Sequence, residues 1–285
     1  MKIFDFHTHT FPDRIAAKAL GSLSHASHTV PFADGTEKGL IRKMKEGGVS
    51  GSLILPVATS AQQVEKINSS AAEVNRKYTD EGLISFGCMH PMYENFSDEL
   101  KRIRDLGLKG IKIHPVYQGL DIDDPVFVRI IKEAADLGLT VITHAGLDIG
   151  YPGVVRCSPL QCRHVVEEVG RFIFVLAHMG GWRNWDEVPD VLSDTGVFLD
   201  TAFSTGRFYP LKDDGYWHDE DCYLLNEEEF MRIVKAFGAG RILFGTDSPW
   251  SDQKESIAFI EKLPLSDDEK KKILWENAAD LLGLD

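Results

Sequence analysis

The sequence predicts an α/β fold, a (β/α)8 TIM barrel, and three observations carry that expectation. Eight short runs rich in β-branched and aromatic residues alternate with amphipathic helical stretches along the chain. Several of those runs are apolar at nearly every position, as parallel strands covered on both faces must be. No linker-like change of composition divides the chain and no G-x-G-x-x-G follows any run, which counts against two doubly wound halves. One domain over residues 1–285 is the expected organisation.

The elements follow in order. Strands are expected at 2–6 (KIFDF), 51–55 (GSLIL), 83–88 (LISFGC), 109–114 (KGIKIH), 139–144 (LTVITH), 172–178 (FIFVLAH), 196–200 (GVFLD) and 241–246 (RILFGT). A long loop is expected after the first strand. Between the second and third strands, Ser60-x-x-Gln63 reads as a capping box, with Val64, Ile67, Ala71, Val74 and Tyr78 on one helix face. Asp124-Pro125 and Ser158-Pro159 pair an N-cap with a first-turn proline. Asn226 with Glu229, and Ser266 with Glu269, open two later helices, while Gly107, Gly138 and Gly170 stop theirs before the next strand.

Composition narrows the function. The chain sets 31 Lys and Arg against 44 Asp and Glu, a formal charge of −13, and has no basic stripe, so a nucleic-acid partner is not expected. Hydrophobic residues at 43% and charged ones at 26% exclude a disordered chain. No run approaches 18 apolar residues, so no membrane span is expected. MKIFDFHTHT lacks the pattern of a signal peptide, and Cys88, Cys157, Cys162 and Cys222 form no C-x-x-C pair. A cytoplasmic protein with free, buried thiols and a small-molecule substrate is the expectation.

The histidines fall where a barrel builds its active site. His7 and His9 lie two apart at the end of the first strand and leave from one face. His114, His144 and His178 end strands four, five and six, and Asp247 ends strand eight. The C-terminal strand ends of a barrel converge on one mouth. Imidazoles with one carboxylate are the donors of a catalytic metal site that keeps a position open for water. Each residue alone also reads as a hydrogen-bonded buried polar group. His7, His9, His144, His178 and Asp247 together, without a metal, would be costly to bury.

These residues carry a family resemblance. FDFHTHT, VITHAG, VLAHMGG and LFGTDSPW resemble the strand 1, 5, 6 and 8 motifs of the amidohydrolase superfamily. The likeness is closest to its amidohydrolase-related (amidohydrolase 2) branch, which includes the aminocarboxymuconate semialdehyde decarboxylase-like enzymes. ILWENAADLLGLD resembles that branch's closing helix, so the likeness runs from Met1 to Asp285. The resemblance implies one divalent metal, expected to be zinc with manganese or iron as alternatives, held by His7, His9, His144 and Asp247. It implies His178 as acid, base or carbonyl polariser, and Asp247 as a proton shuttle as well. Asp5 is expected to orient one of the ligands from beneath. Related barrels often pair, which makes a homodimer the expectation by analogy.

Other residues keep two readings. Binuclear relatives bridge their metals with a modified lysine from strand four. Lys112 reads instead as a structural or substrate-ordering group, and His114 as either a substrate contact or a packing residue. Arg156 and Arg207, on loops at the mouth, read equally as clamps for a substrate carboxylate or as surface ion pairs. His90 either faces the mouth or closes a simple turn. His25 and His28 read as solvated loop residues or as parts of a lid, and His164 as a flank of its helix's packing face. His218 lies in the long aromatic stretch 203–225, which is expected to cap the pocket.

The leading expectation is a metal-dependent hydrolase, in which a metal-activated water attacks an amide, lactone or ester carbonyl of a small carboxylated molecule. Its alternative uses the same residues for non-oxidative decarboxylation. A phosphoesterase fits less well, because GIKIHP offers no bridging glutamate.

Overall fold

The computed structural model describes residues 1–211 and 215–284. Residues 212–214, inside the expected capping stretch, and Asp285, the last of the expected single domain, lie outside the described residues. The strands are β1 (Phe4–Thr8), β2 (Gly51–Ile54), β3 (Leu83–Ser85), β4 (Gly87–Cys88), β5 (Gly110–Ile113), β6 (Thr140–Thr143), β7 (Phe174–Leu176), β8 (Phe198–Asp200) and β9 (Ile242–Leu243). Each of the eight expected runs holds strand. The third is split into β3 and β4 at Phe86, whose N–H donates to the Ile54 carbonyl.

The chain gathers into two compact units. The first comprises Met1–Leu53, Ile149–Pro152 and the described residues from Asp200 onward. Within it β1 runs beside β2, where the Thr8 hydroxyl donates to the Leu53 carbonyl. On its other side β1 follows the chain that continues past β9. Phe6 N–H donates to Phe244, Asp247 N–H to His7 and His9 N–H to Ser248. Thr201, just past β8, donates to Leu243. Phe4, Phe6, Phe230, Phe244, Ile273 and Leu274 are buried around these strands. Removing each such side chain from water is worth about 1.5–3 kcal/mol.

The segment after β1 is not the loop the sequence suggested. Residues Asp13–Ser27 form helix α1, which ends at His28 in the left-handed conformation. Helix α2 (Glu37–Gly47) is capped by the Thr36 hydroxyl.

The second unit comprises Ile54–Asp148 and Gly153–Leu199. Its strands are parallel in the order β4-β5-β6-β7-β8. β5, β6 and β7 are buried at every position, which is why their sequences show no polar alternation. Helix α3 (Val64–Tyr78) precedes β3, while α4 (Phe96–Asp105), α5 (Pro115–Gln118), α6 (Pro125–Asp136), α7 (Pro159–Val169) and α8 (Val188–Leu192) lie between β4 and β8 along the chain. Asp124 caps α6, and Ser158 with Gln161 forms a full capping box on α7. Each such cap contributes about 1 kcal/mol. The expected Ser60 cap is not made. A short turn at Ala61–Gln63 precedes α3, and the Gln63 side-chain oxygen accepts from Thr59 N–H instead.

The remaining helices belong to the first unit: α9 (Glu227–Phe237), α10 (Gln253–Lys262), α11 (Asp267–Lys271) and α12 (Asn277–Leu282). Asn226 with Glu229 and Ser266 with Glu269 form the expected capping boxes. Among the described residues no helix is long and apolar enough to cross a membrane, and all four cysteines are buried and free.

Candidate metal centre

In the first unit the end of β1 and the turn after β9 bring three donors together. His7 Nε2 lies 3.2 Å from His9 Nε2 and 3.3 Å from Asp247 Oδ1, and His9 Nε2 lies 3.0 Å from that same oxygen. Donors held about 2.0–2.2 Å from one ion are separated from each other by roughly 3.0–3.5 Å. The residues present therefore fit a divalent metal.

The local sequence explains the convergence. Period-two alternation sends His7 and His9 to one face of β1. Asp247 has φ +65°, a left-handed turn that an aspartate tolerates better than most residues. Gly245 allows the close approach, since a Cβ there would come within 2.8 Å of His7 Cβ.

The tautomer of His7 is fixed from behind. Its Nδ1 lies 2.7 Å from Asp200 Oδ2, so Nδ1 carries the proton and Nε2 keeps its lone pair for the cluster. Asp5, expected to orient a ligand side chain, instead accepts from Thr246 N–H, the Thr246 hydroxyl, the Gln253 amide and the His7 main-chain N–H. It holds backbone, and Asp200 orients the ring. Burial pushes the Asp5 carboxyl up to about 6, against the pull of those hydrogen bonds.

A second cluster stands in the second unit. His144 Nε2 donates to the Leu147 carbonyl at 3.2 Å, which leaves its lone pair on Nδ1. His178 Nε2 lies 3.0 Å from that Nδ1, so His178 carries its proton on Nε2. Burial first, then the neighbouring His114 and His178, hold His144 well below the usual imidazole range, and it is neutral. His114 stacks on His144 at 4.4 Å and on Tyr117 at 3.9 Å, and its Nε2 lies 3.4 Å from Asp148 Oδ2. Its Nδ1 accepts from Tyr117 N–H. Lys112 is buried in β5, in register with Cys88 and Ile142 on the flanking strands.

His7, His9 and Asp247 thus meet in one unit, and His114, His144 and His178 in the other. Sequence reasoning missed Asp200 and Asp148. Asp200 carried a readable signal, because it ends its strand as His144 and His178 end theirs. Asp148, four residues past His144 in a loop, carried none.

The weaker candidates resolve into local roles. Arg156 donates to Asp121 and Arg207 to Asp219, each at 3.0 Å, so a substrate carboxylate would have to displace those partners. Arg207 also lies between the rings of Tyr209 and Tyr223. His90 closes a turn, its Nδ1 accepting from Met92 N–H. His28 stacks on Tyr216 at 3.9 Å, His164 is exposed and faces Asp123, and His25 and His218 are exposed.

An uncharacterized TIM-barrel protein from Bordetella bronchiseptica matches with a TM-score of 0.74 at 19% identity, over 99% of each chain. A dihydroxybenzoic acid decarboxylase from Polaromonas sp., with bound manganese and the inhibitor 2-nitroresorcinol, matches with a TM-score of 0.69 at 14% identity, over 99% of this chain and 97% of that one. The fold is the TIM barrel that the alternating runs predict. The sequence profile of the amidohydrolase family matches residues 5–284, and the chain belongs to that family. A 2-amino-3-carboxymuconate-6-semialdehyde decarboxylase of Dictyostelium discoideum is 25% identical over 220 residues, 67% of this chain. The match spans 58% of that relative's length.

Proposed function

We propose that this chain is a metal-dependent, non-oxidative decarboxylase of a small carboxylic acid. The observation that carries the reading is the convergence of His7 Nε2, His9 Nε2 and Asp247 Oδ1 within 3.0–3.3 Å, in a chain of the amidohydrolase family. Hydrolysis, the leading expectation from the sequence, ranks behind decarboxylation because the Dictyostelium relative and the manganese-bound structure are both decarboxylases.

His7, His9 and Asp247 would hold the ion. A divalent ion supplies Lewis acidity, drawing off negative charge that develops on the substrate. Zinc and manganese both suit this donor set. Lys112 and His114 order the substrate's anionic group.

The chemistry is R–COO⁻ + H⁺ → R–H + CO2. The bond from carbon to the carboxylate breaks, its electron pair stays on that carbon, and carbon dioxide leaves. His178, whose Nε2 carries a proton, delivers it to the carbon and is reprotonated from solvent. The buried, free thiols support a cytoplasmic setting.

The test is incubation of the metal-loaded protein with hydroxylated aromatic and unsaturated dicarboxylic acids. Carbon dioxide release is expected, with deuterium from heavy water at the carbon that lost its carboxylate. Incorporation of oxygen-18 from labelled water, without carbon dioxide, would overturn this reading in favour of hydrolysis.

A further inference from the structure

The segment that carries His178 is wound against its own preference. His178 has φ +59° and Met179 φ +53°, two consecutive non-glycine residues in the left-handed region. Side-chain sterics disfavour that region for both, so the surrounding structure must hold them there. Two donors reach the His178 carbonyl. Gly181 N–H is 3.3 Å away, and the indole Nε1–H of Trp185 is 2.9 Å away. The indole bond is the shorter, and its donor is itself fixed. Trp185 is 8% exposed, packs edge-on against Trp182 at 6.3 Å, and lies under the Arg183 guanidinium.

The same segment is joined to the one carrying His144. Trp182 N–H donates to Ala145 and Leu147 N–H to Trp182, forming a parallel bridge between Gly146 and Trp182. The 3.0 Å approach of the two imidazoles therefore depends on how the 178–185 segment is wound.

We propose that Trp185 is a positioning residue for His178, acting through the main-chain carbonyl to hold the left-handed turn that aims the imidazole at His144. This rests on the reading of His178 as the proton donor. Loss of the indole N–H would remove the shorter of these two bonds to the carbonyl. The turn would then relax and the ring would swing away from His144.

The test is Trp185→Phe, which keeps an aromatic ring and removes the donor, read by long-range proton–nitrogen spectra of histidine-labelled protein. In the wild type, His178 is expected to show one tautomer, protonated on Nε2. In the variant its nitrogen signals are expected to average between tautomers, while melting temperature and metal content stay close to those of the wild type. On any carboxylic acid the wild type turns over, kcat is expected to fall roughly 10- to 100-fold with KM within twofold.

Unchanged His178 signals in the folded variant would overturn the proposal, because a residue that only fills space would leave them so. The spectra need no substrate, so they decide the matter even if decarboxylation is not the reaction. Should the variant fail to fold, exchange of the Trp185 indole proton in the wild type decides. Persistence well beyond that of a solvent-exposed indole supports the bond, and exchange as fast as an exposed indole overturns it.

Discussion

His7 donates from Nδ1 to Asp200 at 2.7 Å, with both side chains sealed from solvent. A buried carboxylate placed behind an imidazole fixes its tautomer, holds its plane and raises the basicity of the opposite nitrogen. That nitrogen is the one that faces His9 and Asp247. Asp200→Asn removes the charge and leaves the site's shape nearly intact. The expected outcome is a metal affinity lower by about 10–100-fold, measured by competition with a chromophoric chelator, with an unchanged circular dichroism spectrum. An affinity equal to the wild type would mean that His7 needs no orienting partner.

The three-donor cluster makes a separate prediction about stability. A ligand that binds only the folded chain, at 100 to 1,000 times its dissociation constant, stabilises it by about 2.7–4.1 kcal/mol. For a chain of this size that corresponds to a melting temperature lower by roughly 5–15 °C after treatment with a strong chelator. Zinc or manganese should restore the difference. The double variant His7→Ala/His9→Ala should show no response to either treatment. A wild type that melts at one temperature with and without chelator would rule out metal binding at these residues.

Much of the fold was legible, because buried parallel strands and helix caps write strong local patterns. The apolar runs of β5, β6 and β7 and the capping boxes at Ser158, Asn226 and Ser266 depend only on near neighbours. Helix α1 was misread because its apolar face is thin. Ala16 and Leu20 are its only buried hydrophobic residues, and Pro12 offers no side-chain cap. The donors at His7, His9 and Asp247 were readable as strand ends. Asp200 also ends its strand, but its partner was not readable, since nothing local distinguishes a carboxylate bonded to a histidine 193 positions away. Asp5 was assigned to a ligand ring for the same reason. Its partners, Thr246 and Gln253, are more than 240 residues distant.

Two glycine substitutions should separate backbone strain from steric overlap. Gly196 has φ +80° and no atom within 4 Å of where a Cβ would stand. Gly196→Ala should therefore cost only the conformational term, about 1–2 kcal/mol. Gly146 has φ +86° and its Cβ would fall 2.2 Å from the Trp182 nitrogen, which is backbone and has nowhere to move. Gly146→Ala should cost more than about 4 kcal/mol. It should also part the segments that carry His144 and His178. Urea unfolding of both variants measures the difference, and equal losses would show that the Gly146–Trp182 contact is not tight.

His90 gives stability a pH dependence of definite sign. Burial holds its imidazole below the ordinary 6.5, and its Nδ1 accepts from Met92 N–H, so the folded chain keeps it neutral. The unfolded chain takes up a proton near 6.5, and the folded chain only at lower pH. The unfolded state thus binds more protons below that value, and stability falls as pH drops through it. His144, also held neutral, adds a term of the same sign. His90→Asn keeps an oxygen that can accept from the N–H two residues on, and it cannot titrate. Between about pH 6.5 and 5 the variant should lose stability less steeply than the wild type, as chemical denaturation at several pH values would show. Parallel curves for the two proteins would mean that His90 protonates as readily folded as unfolded.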